Sequence, residues 1–125
     1  MFEKIVNETK QLTTITVTWK ADFNELMSVL KIFFDDNNTE HLLLDLRDSS
    51  LDSITPNHIR NLCKYAKSRV NGGGRVNGKT ALVGSSDLQF GFGRMFKTYS
   101  EMEDSAIKVS VFRSMEKALR WLEAD

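Results

Sequence analysis

The chain has 125 residues, of which 41% are hydrophobic and 27% are charged, which is ordinary for one globular domain with its own core. The 17 basic side chains balance the 17 acidic ones, and this zero net charge argues against a nucleic-acid binder that acts mainly by neutralising phosphates, while leaving room for a local basic patch. The single cysteine excludes an intramolecular disulfide and a multi-cysteine metal site.

The sequence has no apolar stretch long enough for a signal peptide or a membrane span. It also has no internal repeat and no low-complexity tract. We therefore expect residues 1–125 to form a single domain in the cytoplasm, without a cofactor.

Two strands open the predicted fold. Residues 2–6 and 13–19 alternate between apolar and polar side chains, and residues 7–12 between them predict a hairpin turn. In the second strand, Ile15, Val17 and Trp19 are expected to share one face. A helix then begins after Asp22, because the following apolar side chains are spaced three and four residues apart.

Three strand–helix units complete the pattern. The continuous apolar runs at 41–46 and 80–84 predict buried strands, and residues 107–112 alternate as a further strand. Each strand is followed by helix-capping residues and an apolar stripe of helical period. This order predicts an α/β fold with a mixed, mostly parallel five-stranded sheet, about four helices and an N-terminal β-hairpin.

Residues 73–80, from Gly73 to Thr80, match the phosphate-binding P-loop template letter for letter. A working P-loop follows a strand and opens a helix, because the phosphates bind backbone N–H groups at the helix N-terminus. Here the glycine-rich segment follows a predicted helix, and Lys79 and Thr80 run into a predicted strand. We interpret the match as a chance feature of a connector.

No other residue spacing predicts an active site. His41 and His58 lack the spacing of a metal pair, and Cys63 lies on the apolar face of its helix. The serines at 85 and 86 lack a nucleophile-elbow pattern, and a helix cap explains them. We expect no catalytic residue, no metal site and no enzyme activity.

Polar side chains mark the most suggestive surface. Ligands of open α/β sheets bind outside the carboxyl ends of the parallel strands. The candidate residues that follow the third and fourth strands are Arg47, Asp48, Ser49, Ser50, Asp52, Ser85, Ser86 and Asp87. Ser53 precedes a helix N-terminus, where a phosphate would meet a favourable dipole. The alternative for each serine is a turn or a helix cap.

A second candidate surface surrounds two glycines at 91 and 93, each of which costs a helix roughly 1 kcal/mol relative to alanine. Phe92 belongs to the predicted apolar stripe of this helix, together with Leu88, Met95 and Tyr99. Phe96 borders the stripe, and Phe90 points away from it. Small residues beside a surplus aromatic side chain permit close approach by a ligand, a helix or a second subunit. The alternative is a glycine-softened helix start with Phe90 covered by its own loop.

Three segments together resemble the SpoIIAA-like family, of the broad STAS type, over nearly the whole chain. Residues 42–54 are similar to the STAS stretch in which a buried strand ending in Asp-Leu leads to an Asp-Ser pair before a helix. Residues 81–96 and 109–122 are similar to the C-terminal half of the SpoIIAA-like branch. The resemblance implies a mixed sheet backed by helices, related to the lipid-carrier lobe of CRAL-TRIO proteins.

The same resemblance implies a function. In STAS anti-sigma antagonists, a partner kinase phosphorylates the serine of the Asp-Ser pair and so switches binding; the matching residues here are Asp52 and Ser53. The loop is about one residue shorter here, and residues 54–56 replace the small glycine that often follows. We therefore expect a non-enzymatic regulatory or protein-interaction domain that presents residues 49–53 to a protein partner.

Two further expectations stay open at this point. The domain would act as a monomer or as a homodimer. The alternative function is a carrier of a small apolar, lipid-like ligand, in which Phe90, Phe92 and Phe96, with the glycines at 91 and 93, line a pocket.

Overall fold

A computed structural model describes residues 1–36, 39–71 and 78–124, with the side chain of residue 71 excepted. The elements in chain order are β1 (Phe2–Asn7), β2 (Leu12–Lys20), α1 (Phe23–Asp36), β3 (His41–Ser50), α2 (Pro56–Asn71), β4 (Lys79–Val83), α3 (Asp87–Met102), β5 (Lys108–Phe112) and α4 (Met115–Glu123). The strands form one sheet in the order β1-β2-β3-β4-β5. Among the strands of the described residues, only the β1–β2 pair is antiparallel. The predicted mixed sheet, N-terminal hairpin and four helices are thereby confirmed for the described residues.

The two faces of the sheet carry different helices. Leu42, Leu44 and Leu46 of β3 belong to the larger core cluster, with side chains of α1, α2 and α3. Leu43 belongs to a smaller cluster with Ala118 of α4. Because successive side chains of a strand point to opposite faces, β3 is covered on both sides, and this explains its continuous apolar run.

β3 continues further than the sequence suggested. Residues 47–50 were expected to lie in a loop, but they belong to the strand, and residues 48–50 pair with the end of β2. Thr16 pairs with Asp45 and Thr18 pairs with Asp48, so β3 contains one residue more than β2 over this step. This bulge bends the strand locally and allows a polar segment to continue the ladder.

Trp19 leaves the face that it was predicted to share with Ile15 and Val17. Those two side chains are fully buried, whereas Trp19 is 76% exposed. The reason is its backbone, which has a φ of 65°, in the left-handed region that a bulky residue rarely adopts. The tryptophan therefore projects into solvent where β2 runs beside Ser49 of β3.

Helix α3 is rotated relative to its predicted apolar stripe. Leu88 was expected to face the core but is 53% exposed, whereas Phe96 and Gln89 are buried. The cause is Gly93, where an added Cβ would lie 2.3 Å from Cγ2 of Val111 in β5. Because glycine has no side chain, β5 packs directly against α3 at this position. This close contact fixes which side of the helix faces inward.

The P-loop-like match falls partly outside the described residues, which omit residues 72–77. In the described part, Lys79 and Thr80 begin β4 rather than a helix. Nζ of Lys79 donates to the carbonyl oxygen of Trp121 at 3.0 Å and to that of Ala124. The lysine therefore holds the C-terminal end of α4, where carbonyl groups lack helical partners.

No helix in the described ranges is both long enough and apolar enough to cross a membrane.

The two glycines of α3 should respond oppositely to alanine. A Cβ at Gly91 meets nothing within 4 Å, so Gly91→Ala should raise the free energy of unfolding by about 0.5–1 kcal/mol through helix propensity. Gly93→Ala should lower it by about 1–3 kcal/mol, because the methyl group overpacks against Val111. Urea unfolding measures both. A Gly93→Ala protein as stable as the Gly91→Ala protein would contradict the close packing of α3 on β5.

Candidate functional site

An apolar groove of about 400 Å³ lies between the first turns of α2 and α3, beyond the carboxyl end of β3. We call it the α2–α3 groove. Leu51, Ile54 and Ile59 line it on one side, and Leu88, Gly91 and Met95 of α3 line it on the other. The charged side chains that line it are Asp87 and Arg94. This is the location at which ligands bind in open α/β sheets.

The groove is open because Gly91 has no side chain, and it is apolar because core residues form its base. No atom lies within 4 Å of a Cβ built at Gly91, so the helix surface is empty there. Leu51 and Ile59 are core residues that form the base, and the half-exposed Leu88 stands at the side. A side chain from another molecule could therefore contact the core without displacing any residue of this chain.

Ser53 lies next to this groove. Leu51 and Ile54 both line the groove, and the turn between them consists of Asp52 and Ser53. The N–H of Ile54 donates to the carbonyl oxygen of Leu51 at 3.0 Å and closes the turn. Ser53 is exposed, and within the described ranges its hydroxyl makes no hydrogen bond. The hydroxyl is therefore accessible to a modifying enzyme.

The cap of α2 does not use Ser53. Oγ1 of Thr55 accepts a hydrogen bond from the N–H of His58 at 3.2 Å, and Nδ1 of His58 accepts one from the N–H of Thr55 at 3.1 Å. This reciprocal pair has the form of a capping box. The ring of His58 also stacks on Phe23, with the ring centroids 4.9 Å apart. The histidine thus has a structural role at the helix start.

A buried amide fixes the two sides of the site relative to each other. Gln89 is only 7% exposed. Its Nε2 donates to the carbonyl oxygens of Arg47 at 3.1 Å and Ser49 at 2.9 Å, and its Oε1 accepts from the N–H groups of Ser85 at 3.0 Å and Ser86 at 3.2 Å. One side chain therefore joins the bulged end of β3 to the start of α3. The Ser-x-x-Gln spacing of a capping box was present in the sequence, but Gln89 was not singled out there.

Asp45 and Arg47 form an ion pair at the bulge. The carboxylate of Asp45, which is 4% exposed, accepts hydrogen bonds from Nε and Nη2 of Arg47, both at 2.9 Å. It also accepts one from the backbone N–H of Arg47 at 3.1 Å. Hydrogen bonding to this carboxylate raises the pKa of the Arg47 guanidinium above its usual value. The pair satisfies a buried charge, as a buried carboxylate requires.

Some of the other predicted surface residues make hydrogen bonds within the fold, and others are exposed to solvent. Ser49 is buried, and its Oγ donates to the carbonyl oxygen of Leu46 at 2.8 Å. The carbonyl oxygen of Ser50 accepts from the N–H of Ala21 at 2.9 Å. The exposed members of the predicted set are Arg47, Asp48, Asp52, Ser85, Ser86 and Asp87. Asp87 pairs with Nη2 of Arg113 at 3.0 Å.

The three phenylalanines of α3 do not line one cavity. Phe92 lines the α2–α3 groove, and Phe96 lies in the core. Phe90 is half-buried on another side of the helix, where the guanidinium carbon of Arg113 lies 4.4 Å from its ring centroid. The space beside Gly93 is filled by the side chain of Val111. The pocket expected for the carrier alternative is therefore not formed by these residues.

The side chains of Cys63 and His41 make contacts that stabilise the fold. Burial raises the pKa of the Cys63 thiol to about 11, and its Sγ donates to the carbonyl oxygen of Phe96 at 3.4 Å. Nδ1 of His41 accepts from the N–H of Lys79 at 3.0 Å. Over the residues that the structure describes, no group of three histidine, cysteine or acidic side chains is placed to hold a metal ion.

Replacement of Gln89 tests whether its amide organises the site. Gln89→Ala removes the donor shared by two carbonyl groups of β3, and burial of unsatisfied polar groups should lower the free energy of unfolding by about 1–3 kcal/mol. Asn61→Ala, at an exposed position of α2, is the control and should change it by less than about 0.5 kcal/mol. Equal stability of the two variants would show that the amide network contributes nothing to the fold.

Comparison with known proteins reveals similarity in structure rather than in sequence. No protein-family model matches the chain, and no curated protein matches it significantly. The structure is similar to that of the anti-sigma factor antagonist SpoIIAA in its unphosphorylated form, with a TM-score of 0.52 and 10% identity over 100% of both chains.

A second similar structure is an uncharacterized protein of the DUF3478 family with a SpoIIAA-like fold, from Shewanella loihica PV-4. Its TM-score is 0.51 at 15% identity, and the match covers 98% of this chain and 92% of that one. At these identities the likeness concerns the fold. The chain therefore has a SpoIIAA-like fold of the STAS type.

Proposed function

We propose that the chain is a non-enzymatic regulatory domain that binds a protein partner in the α2–α3 groove, and that phosphorylation of Ser53 controls this binding. One observation carries the proposal: the residues on either side of the Asp52–Ser53 turn, Leu51 and Ile54, both line the groove. A charge placed on Ser53 would therefore act directly at the binding surface.

The similar structures support a regulatory role. One of them is an anti-sigma factor antagonist in its unphosphorylated form, so a protein of this fold acts on another protein and is described by its phosphorylation state. The present chain has an exposed serine in an Asp-Ser pair that precedes α2 by two intervening residues, and the resemblance to STAS antagonists places its serine in such a pair before a helix.

The physical basis of binding is burial of apolar surface. A partner side chain seated over Gly91 would contact Leu88 and Met95 and remove their exposed carbon atoms from water. Such burial contributes roughly 25 cal/mol per Å². Because the position above Gly91 is already empty, the groove need not rearrange to admit the partner.

The physical basis of the switch is electrostatic. A phosphoserine carries about −1.5 to −2 charges at neutral pH, and burying it against an apolar partner would cost desolvation energy. In the free protein, the phosphate on Ser53 would lie near the N-terminus of α2, whose dipole favours negative charge. Phosphorylation should therefore stabilise the free form relative to the bound form.

Filling the groove should weaken partner binding without harming the fold. Gly91→Leu places a side chain in the empty space and should weaken the affinity for the partner by about tenfold or more. Lys64→Leu, which adds the same side chain at an exposed position of α2, is the matched control. The partner is captured from cells with wild-type protein and identified by mass spectrometry, and dissociation constants are then measured with the purified proteins.

Two results would contradict this use of the groove. One is a Gly91→Leu protein that binds the partner as tightly as the Lys64→Leu protein does. The other is native mass spectrometry that shows a small apolar molecule, released on denaturation, in the gently purified wild-type protein. That second result would restore the carrier as the better interpretation.

The Ser53 switch is tested separately from the groove. Ser53→Asp should weaken partner binding by roughly 5- to 150-fold, the usual range of coupling between a regulatory charge and a binding site. Ser53→Ala should bind as wild type does, because the hydroxyl makes no hydrogen bond within the described residues. If both variants bind equally well, control of binding by phosphorylation of Ser53 is rejected, whereas binding in the α2–α3 groove is not contradicted.

A further inference from the structure

β5 forms an edge of the sheet, and some of its backbone N–H and C=O groups point away from the neighbouring strand β4. The N–H of Lys108 donates to the carbonyl oxygen of Gly78 at 3.1 Å, and the carbonyl oxygen of Phe112 accepts from Gly84 at 2.9 Å. In a parallel pair, alternate residues of a strand bond to the same neighbour. Residues 108, 110 and 112 therefore face β4, and the N–H and C=O groups of Val109 and Val111 face outward. No described strand pairs with this outer side.

Two adjoining grooves, of about 470 and about 350 Å³, run along this edge. Both are lined by Lys97 and Glu101 of α3 and by Ser110 of β5. Phe90 stands at one end and Trp121 of α4 at the other. Together they form a channel beside the strand, which we call the β5 edge groove. An edge strand beside a helix is the arrangement in which an extended peptide can add a strand to a sheet.

The charge of the β5 edge groove is positive. The described residues that line it include the basic side chains of Arg94, Lys97 and Lys108 and one acidic side chain, that of Glu101. None of these four forms an ion pair with any other described residue. The zero net charge of the whole chain therefore conceals a local excess of basic side chains at this edge.

The geometry points to an acidic, extended protein segment as the occupant of the β5 edge groove, added to the sheet as a sixth strand. Val109 and Val111 supply its backbone hydrogen bonds, and Lys97 and Lys108 select acidic side chains. Phe90 and Trp121 provide apolar surface for the residues between them. Among the described lining residues, this surface shares only Arg94 with the α2–α3 groove, and it does not depend on Ser53.

A second copy of this chain fits the edge less well. Pairing β5 with β5 about a two-fold axis would bring two basic grooves together, and like charges in a sheet interface are destabilising. Charge complementarity therefore favours an acidic segment of a different protein.

The test uses the full chain and a short fluorescent peptide of alternating glutamate and valine, with fluorescence anisotropy as the readout. Wild-type protein should bind this glutamate peptide more tightly than it binds a second peptide in which lysine replaces glutamate. Added salt should weaken the binding of the glutamate peptide. Val109→Pro removes an outward N–H without removing a hydrogen bond to β4, a position at which an edge strand tolerates proline. It should weaken binding by about tenfold or more.

A charge variant keeps the test decisive even if Val109→Pro fails to fold. The double change Lys97→Glu and Lys108→Glu should reverse the preference toward the lysine peptide, whereas Lys64→Glu and Gly91→Leu should not. Hydrogen exchange of the Val109 and Val111 amides should slow when the glutamate peptide is bound. The inference is overturned if wild-type protein does not distinguish the two peptides, if folded Val109→Pro binds as wild type does, or if β5 mediates a dimer in solution.

Discussion

The side-chain amide of Gln89 is the interaction on which the carboxyl edge of this sheet depends. It satisfies two carbonyl groups of the bulged β3 and two N–H groups before α3, all from a nearly buried position. Without it, the buried carbonyl group of Ser49 would lose this partner, and no other described residue links the two elements in this way. The position of Leu88 and Gly91 opposite Leu51 and Ile54, and hence the α2–α3 groove, depends on this side chain together with the contact between Gly93 and Val111.

Helix α3 separates the two surfaces to which we assign binding. Gly93 presses its inner side against β5, so Gly91 and Leu88 turn toward α2 while Phe90 and Lys97 turn toward the outer edge of the sheet. The two glycines therefore have different roles, although they look alike in the sequence: one permits close packing inside the protein, and the other leaves space for a partner.

Local patterns in the sequence were sufficient for the fold but not for the geometry of the site. Strand and helix periods, together with the helix-start residues Asp22 and Ser86, predicted the elements and their order, because these signals act over a few residues. The continuation of β3 to Ser50 depends on pairing with β2, which is distant in the chain. The rotation of α3 likewise depends on a contact between Gly93 and Val111. Neither leaves a periodic signal, so the exposed Leu88 and buried Gln89 were not foreseen.

Photo-crosslinking from the α2–α3 groove inside cells tests the central claim most directly. A photoreactive phenylalanine analogue replaces Leu88 in one protein and Lys64, on the outer side of α2, in another. If a partner occupies the groove, position 88 should crosslink to one protein that position 64 does not reach, and Ser53→Asp in the same chain should reduce that product. The same products from both positions, or none from position 88, would contradict the account.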